Sequence, residues 1–249
     1  MKERILKIGI VLLAISVLIG VSPLPIIFHN YTLKYDEYVY LGGDNIVIGY
    51  KTSSDPNAAT ADNEYATIGT LTYIDRNMKY GAVAHEIGVD KIESGNIYHT
   101  PVDSVIKSNS KKIGEKNVDV SYNRETGNII TINKTGVYGI YNSALSNKKL
   151  IKLAMPSEIK RGVAYIYTVV DNEKIEAYEI EITKVYYGRK SHNICFKIKD
   201  EQLLAKTGGV IKGMSGSPIV QDGKIIGAIS HVEDSDPTYG YGLFITYMI

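Results

Sequence analysis

Gly213-Met214-Ser215-Gly216-Ser217-Pro218-Ile219-Val220 runs directly into Gln221-Asp222-Gly223-Lys224 and then Ile225-Ile226-Gly227-Ala228-Ile229-Ser230. The stretch reads as a serine loop opening a hairpin. Gly213 and Gly216 flank Ser215, so the backbone can turn sharply, take positive φ without steric cost and bring its amides close to a carbonyl. Asp222-Gly223 separates two apolar runs, a hairpin signal because a type I′ turn needs positive φ at both central residues. Ser215 is therefore expected on a loop anchored to a β element. The plain alternative is a Gly/Ser-rich turn without chemistry, since small residues gather in turns generally.

One hydrolase geometry places G-x-S-x-G on a strained turn between a strand and a helix. Here Ser217 stands where the second outer glycine would be, and Pro218-Ile219-Val220 continues as a strand, so that geometry does not fit. The arrangement resembles instead the trypsin-like serine peptidases, whose active serine lies in a Gly-x-Ser-Gly-x-Pro loop ahead of a hairpin.

A serine nucleophile needs a base within hydrogen-bond reach, and histidine is the usual one because its near-neutral pKa lets it take and return a proton. Of the five histidines, His29 lies at the edge of the amino-terminal apolar run, His99 in a polar hairpin region, His192 in a charged loop and His231 one strand after the serine. His85 has the best context. It ends Gly81-Ala82-Val83-Ala84-His85, where small residues allow a tight turn at the end of a strand. A structural histidine at a strand end is the competing reading. For the carboxylate that would fix the imidazole tautomer, Asp90, Asp103, Asp119, Asp171 and Asp200 are all candidates.

From Tyr65 onward the pattern is one of short β-like runs: Ala66 to Ile74, Tyr80 to Ile87, Val137 to Tyr141, Val163 to Val170 and Ile175 to Tyr187. Asp75-Arg76-Asn77 and Asp171-Asn172-Glu173 supply turns between them. Only Glu201 to Lys206, and a weaker stretch from Ser143 to Leu150, read as helical. Many short strands without βαβ alternation predict an all-β antiparallel sandwich or barrel. With the trypsin-like resemblance, the expected fold is a double β-barrel over residues 65–249, preceded by an extended segment and linker over 29–64.

The amino terminus carries Lys2, Arg4 and Lys7 and then a nearly unbroken apolar run from Ile8 to Phe28. Its length suits a bilayer crossing, and the basic flank predicts a cytoplasmic amino terminus with the rest outside. Pro23 disfavours signal-peptide cleavage beside Gly20 and Ser22, so residues 1–28 are expected to be a retained transmembrane helix. The 249 residues are 44% apolar and 22% charged with a net charge of +1. That is ordinary globular composition, and the scattered lysines give no nucleic-acid footprint. The single cysteine excludes an intrachain disulfide. No metal-ligand spacing, phosphate loop or cofactor motif is present.

Ile68-Gly69-Thr70-Leu71-Thr72-Tyr73, Tyr80 to His85, Lys199-Asp200 with Leu203-Leu204 and Thr207-Gly208-Gly209, Gly213 to Val220, His231 and Gly240-Tyr241-Gly242 together resemble the stage IV sporulation protein B peptidases of endospore-forming bacteria. The resemblance implies His85 as general base, Asp200 as acid and Ser215 as nucleophile. It also implies a signalling protease, anchored by its amino-terminal helix, that works outside the membrane in the space between forespore and mother cell. Its substrates there would be itself and a membrane-bound regulator, with activation of a late mother-cell sigma factor as the outcome. Family members usually carry a PDZ domain after the anchor, and Asn30 to Asn63 is too short for one. Mechanistically, the amides of Gly213 and Ser215 would form the oxyanion hole. The strand with Ser230 and His231 would present its edge to an extended substrate, with His231 placed to touch it. Gly208 and Gly209 suggest a specificity pocket without a buried charge, hence small or apolar side chains. Two rivals remain at this level, a catalytically silent extracytoplasmic β module that binds peptide or partner protein, and an esterase-like hydrolase.

Overall fold

The computed structural model describes residues 38–52, 64–84, 92–118 and 124–249. Two sets of six strands each close on themselves. In the first, β2 (Asn45–Thr52), β3 (Glu64–Ile74), β4 (Lys79–Ala84), β5 (Ile92–His99), β8 (Glu125–Asn133) and β9 (Gly136–Tyr141) follow the order β3-β2-β5-β8-β9-β4, and β4 pairs back onto β3. The second contains β11 (Gly162–Val169), β12 (Ile175–Val185), β13 (Ile194–Ile198), β14 (Pro218–Gln221), β15 (Lys224–Val232) and β16 (Tyr239–Phe244). It runs β14-β11-β12-β13-β16-β15 and closes through β14 and β15. Closure leaves neither ring with a free edge to template aggregation.

β1 (Tyr38–Leu41) and β10 (Leu150–Leu153) join the rings in the order β15-β10-β1-β3. β6 (Ser104–Ile106) and β7 (Glu115–Asn117) form a small separate hairpin, and α1 (Glu201–Thr207) is the one α-helix among the described residues.

Alternation along the strands fills the barrels. On β11, Ala164 and Ile166 are buried while Val163 and Tyr165 are exposed, so the inward set packs with Ile180, Ile182, Phe196, Ile198, Ile219 and Phe244. Ile46, Ile48, Leu71, Tyr80, Ala82 and Ile97 fill the first ring in the same way. A third cluster draws on both rings, with Val39, Tyr73 and Val83 against Val220, Ala228 and Leu243. This cluster seals the junction where the serine loop sits.

The Asp222-Gly223 hairpin forms as its sequence demands, with φ of 49° and 75°. The runs read as strands from Ala66 to Ile74, Val137 to Tyr141, Val163 to Val170 and Ile175 to Tyr187 appear as β3, β9, β11 and β12. Residues 38–52, part of the stretch 29–64 expected as an extended segment and linker, form β1 and β2. Ile46 and Ile48 point into the first core while β2 lies between β3 and β5, so the ring cannot close without them. Ser143 to Leu150 is not helical: it forms a turn in which the Lys148 amide donates to the Leu145 carbonyl at 3.0 Å before β10 begins. The expected anchor over 1–28 lies outside the described residues, among which no helix is long and apolar enough to cross a membrane.

Candidate active site

Ser215 is held by its own backbone and by β3 of the opposite ring. Gly213 and Gly216 take φ of 92° and 91°, and the amides of Gly216 and Ser217 donate to Ile229 and Met214 carbonyls at 2.8 and 2.9 Å. Thr70 is the main strut. Its amide donates to the Ser215 carbonyl at 2.8 Å, and its hydroxyl donates to the Gly213 carbonyl at 2.7 Å. Thr72 does the same for the Gly216 carbonyl at 2.7 Å. Every one of these partners is buried, where each neutral hydrogen bond is worth about 1 kcal/mol net and leaving one unmade costs more.

The glycines are obligatory at both positions. A Cβ on Gly216 would lie 2.0 Å from the Thr70 carbonyl oxygen, and one on Gly213 would meet Lys116 Cδ at 2.9 Å. Among the described residues, the amides of Gly213 and Ser215 make no backbone hydrogen bond. Two adjacent donors on one loop are thus available to an oxygen that gains negative charge. Ser215 itself is only 3% exposed. Met214, next to it, is wholly buried in the second core, so this position holds an apolar side chain rather than an ion-paired one.

His85 lies outside the described residues, but the strand leading to it does not. β4 pairs Val83 with Thr70 and Ala84 with Gly69, so the chain reaches residue 84 beside the threonine that grips Ser215. The β4–β9 register, from Lys79 opposite Ile140 to Ala82 opposite Val137, carries the turn ahead of β9 to the same end. That turn holds Asn133 and Thr135, which hydrogen-bond each other, and the Thr135 hydroxyl lies 2.6 Å from the Tyr138 hydroxyl. No carboxylate occurs in it.

Asp200 opens α1. Its carboxylate caps α1, accepting from the Leu203 amide at 2.9 Å, while its own amide donates to Glu179 of β12. These contacts place Asp200 between the end of β13 and the start of α1, against β12. Asp171 pairs with Lys206 and Asp103 is exposed. Asp90 and Asp119 lie outside the described residues. Replacing Asp200 with alanine is expected to cost about 1 kcal/mol through loss of the cap, and replacement with asparagine almost nothing, because asparagine caps equally well. Urea unfolding of the two variants checks this. In the asparagine variant, a large activity loss at unchanged stability would identify the charge itself as the third catalytic group.

Gly208 and Gly209 terminate α1. Gly208 closes it in the left-handed conformation at φ 69°, and added Cβ atoms would strike the Ser108 and Pro237 carbonyl oxygens at 2.2 and 2.4 Å. The sequence reading placed a specificity pocket here, but the backbone fills the space. The cleft opens beside Gly213, with a volume of about 660 Å³ and a lining that includes Ile68, His192, His231, Glu233 and Tyr241. His231 stacks on His192 with ring centroids 4.3 Å apart, and the Tyr241 hydroxyl hydrogen-bonds Glu233. Ser230 is buried, and its hydroxyl donates to the Tyr241 carbonyl at 3.1 Å. Gly213 and His231 both line this cleft, Ser230, Gly208 and Gly209 do not, and Glu115, Lys212 and Glu233 add charged side chains to a lining that also holds Ile68, Ile113 and Val232.

Residues 60–249 match the sequence pattern of the SpoIVB peptidase S55 family. The chain belongs to this family. The S55 match covers both the Ser215 loop and the strand leading to His85, and a peptidase is what membership implies. Among solved structures, the active form of the Rv3671c protease from M. tuberculosis aligns at 14% identity with a TM-score of 0.43, over 91% of this chain and 84% of that chain. No curated protein sequence matches.

Thr70, Thr72 and Lys116 escaped the sequence reading as site residues. The threonines alternate on β3 in a Thr-x-Thr pattern that any half-buried strand can carry, so nothing local marks them.

Proposed function

We propose that this S55 member is a serine endopeptidase with a trypsin-like double barrel, in which Ser215 attacks the scissile carbonyl and His85 takes its proton. The amides of Gly213 and Ser215 hold the oxyanion, and His85 then protonates the leaving amine. One observation carries this reading: Thr70 grips the Ser215 loop from the strand paired with β4, which ends at Ala84, the residue before His85 in the sequence. By the same family link, Asp200 is the proposed acid, and its cap makes it the least supported member of the three. The cell-level role follows from the resemblance: a sporulation protease, anchored by its amino-terminal helix and acting outside the membrane between forespore and mother cell. There it would cleave itself and a membrane-bound regulator, and so activate a late mother-cell sigma factor.

A fluorophosphonate probe reads the central claim without a known substrate. Wild-type protein is expected to be labelled at Ser215, with labelling slowed at least 10³-fold in His85→Ala. Mass spectrometry of the adduct locates the site. A folded wild-type protein that takes up no label would favour a silent peptide-binding module instead.

A further inference from the structure

Lys116 is a buried lysine that the reaction scheme above does not use. It lies on β7 and is 1% exposed. Its Nζ donates to Asn45 Oδ1 at 3.1 Å and to Thr168 Oγ1 at 3.2 Å. Asn45 opens β2 of the first ring and Thr168 belongs to β11 of the second, so one amine ties the two barrels together. Both acceptors are wholly buried and neutral. The backbone on either side is clamped to the serine loop: the Lys116 amide donates to the Lys212 carbonyl at 3.1 Å, and the Lys212 amide to the Gly114 carbonyl at 2.8 Å. The lysine stem fills the space in front of Gly213, where an added Cβ would meet Cδ at 2.9 Å and Cγ at 3.2 Å.

The cage suits one protonation state. A neutral amine has two N–H donors, and Asn45 and Thr168 accept two. An ammonium has a third N–H and a full charge, which a buried site with no counter-ion among the described residues penalises. The ionisable groups on the surrounding elements do not relieve this. Asp44, next to Asn45, is paired with Lys148, while Glu115 and Lys212 line the cleft. Burial alone pushes the amine down to about 7.

We propose that neutral Lys116 is a positioning residue for the Gly213 amide, setting the oxyanion site through the stem that packs against that glycine. The inference rests on the serine peptidase reading of Ser215. Protonation adds a third N–H and a charge that the two neutral acceptors leave unmet, which favours movement of Nζ toward the cleft, and the stem packed against Gly213 moves with it.

The test is the rate of Ser215 phosphonylation by a fluorophosphonate between pH 5 and 9. His85 and Lys116 must each lose a proton, so the acid limb of log rate against pH is expected to have a slope of two in wild type. In Lys116→Met the slope should fall to one, with the rate at pH 8 down roughly 10- to 100-fold, the scale of a small misplacement of a catalytic group. A wild-type slope of one overturns the proposal while leaving the peptidase reading intact, as does a slope of two that survives in Lys116→Met. Absence of any labelling overturns both.

If Lys116→Met does not fold, thermal melts of Ser215→Ala decide. A lysine whose folded-state pKa is depressed keeps its proton only in the unfolded chain between about pH 7 and 10, so stability should rise across that window. A flat profile there overturns the proposal.

Discussion

Ser215→Ala is expected to lower peptide turnover by about 10⁴- to 10⁶-fold, leaving only what binding and the oxyanion donors supply. The substitution should leave stability within about 1 kcal/mol, because what anchors the loop at residue 215 is the main chain. It is the Ser215 carbonyl, not its hydroxyl, that accepts from Thr70, and among the described residues the hydroxyl has no hydrogen-bond partner. Chemistry and folding are therefore separable at this atom. Turnover of a peptide substrate beside a thermal melt of the same sample measures both. Residual activity above about 1% of wild type would place the nucleophile elsewhere. Ser217 could not replace it, since its side chain is fully buried with the hydroxyl 3.5 Å from Thr70 Oγ1.

The elements legible in the sequence were those written in local chemistry. Asp222-Gly223 demanded its hairpin, the alternation along Val163 to Tyr187 gave the β11–β12 pair, and Glu201 to Lys206 read as the one helix, α1. Ring closure was not written locally. β2 joins β3 to β5 through pairings such as Ile48 with Thr67 and with Ile97, and its short run from Ile46 to Ile48 reads as well for a lead-in as for a barrel strand. The site divides in the same way. Glycines around a serine announce a loop that must turn sharply, but the threonine gripping it lies 143 positions away from Gly213 in sequence. Lys116 was still less visible, because a lysine among Lys111, Lys112, Glu115 and Asn117 carries every mark of a solvated surface. Only the folded chain shows that its head enters the junction between barrels. Gly208 and Gly209 misled for a related reason: a glycine pair says that backbones approach closely, not that the space between them is empty.

Gly216→Ala is expected to be strongly destabilising and to abolish activity. Two costs combine there. The residue sits at φ 91°, outside the range an L-side chain adopts readily, which costs roughly 1–2 kcal/mol. The new methyl would also lie 2.0 Å from the Thr70 carbonyl oxygen and 2.8 Å from the Val83 amide nitrogen. Both are backbone atoms of a paired strand position, so no rotamer change relieves the clash, and overpacking adds roughly 1–3 kcal/mol or more. The sum is on the order of 2–5 kcal/mol, a large share of the 5–15 kcal/mol typical of a folded protein. A fall in melting temperature on the order of 10 °C and loss of fluorophosphonate labelling should follow together. Gly223→Ala separates the two costs. Its φ of 75° is also positive, but nothing lies within 4 Å of the added methyl, so only the backbone term of about 1 kcal/mol applies. Equal melting temperatures for the two variants would mean that β3 does not press on the serine loop as closely as the Thr70 contacts require. The strut between the barrels, and the geometry that brings the strand before His85 to Ser215, would fail with it.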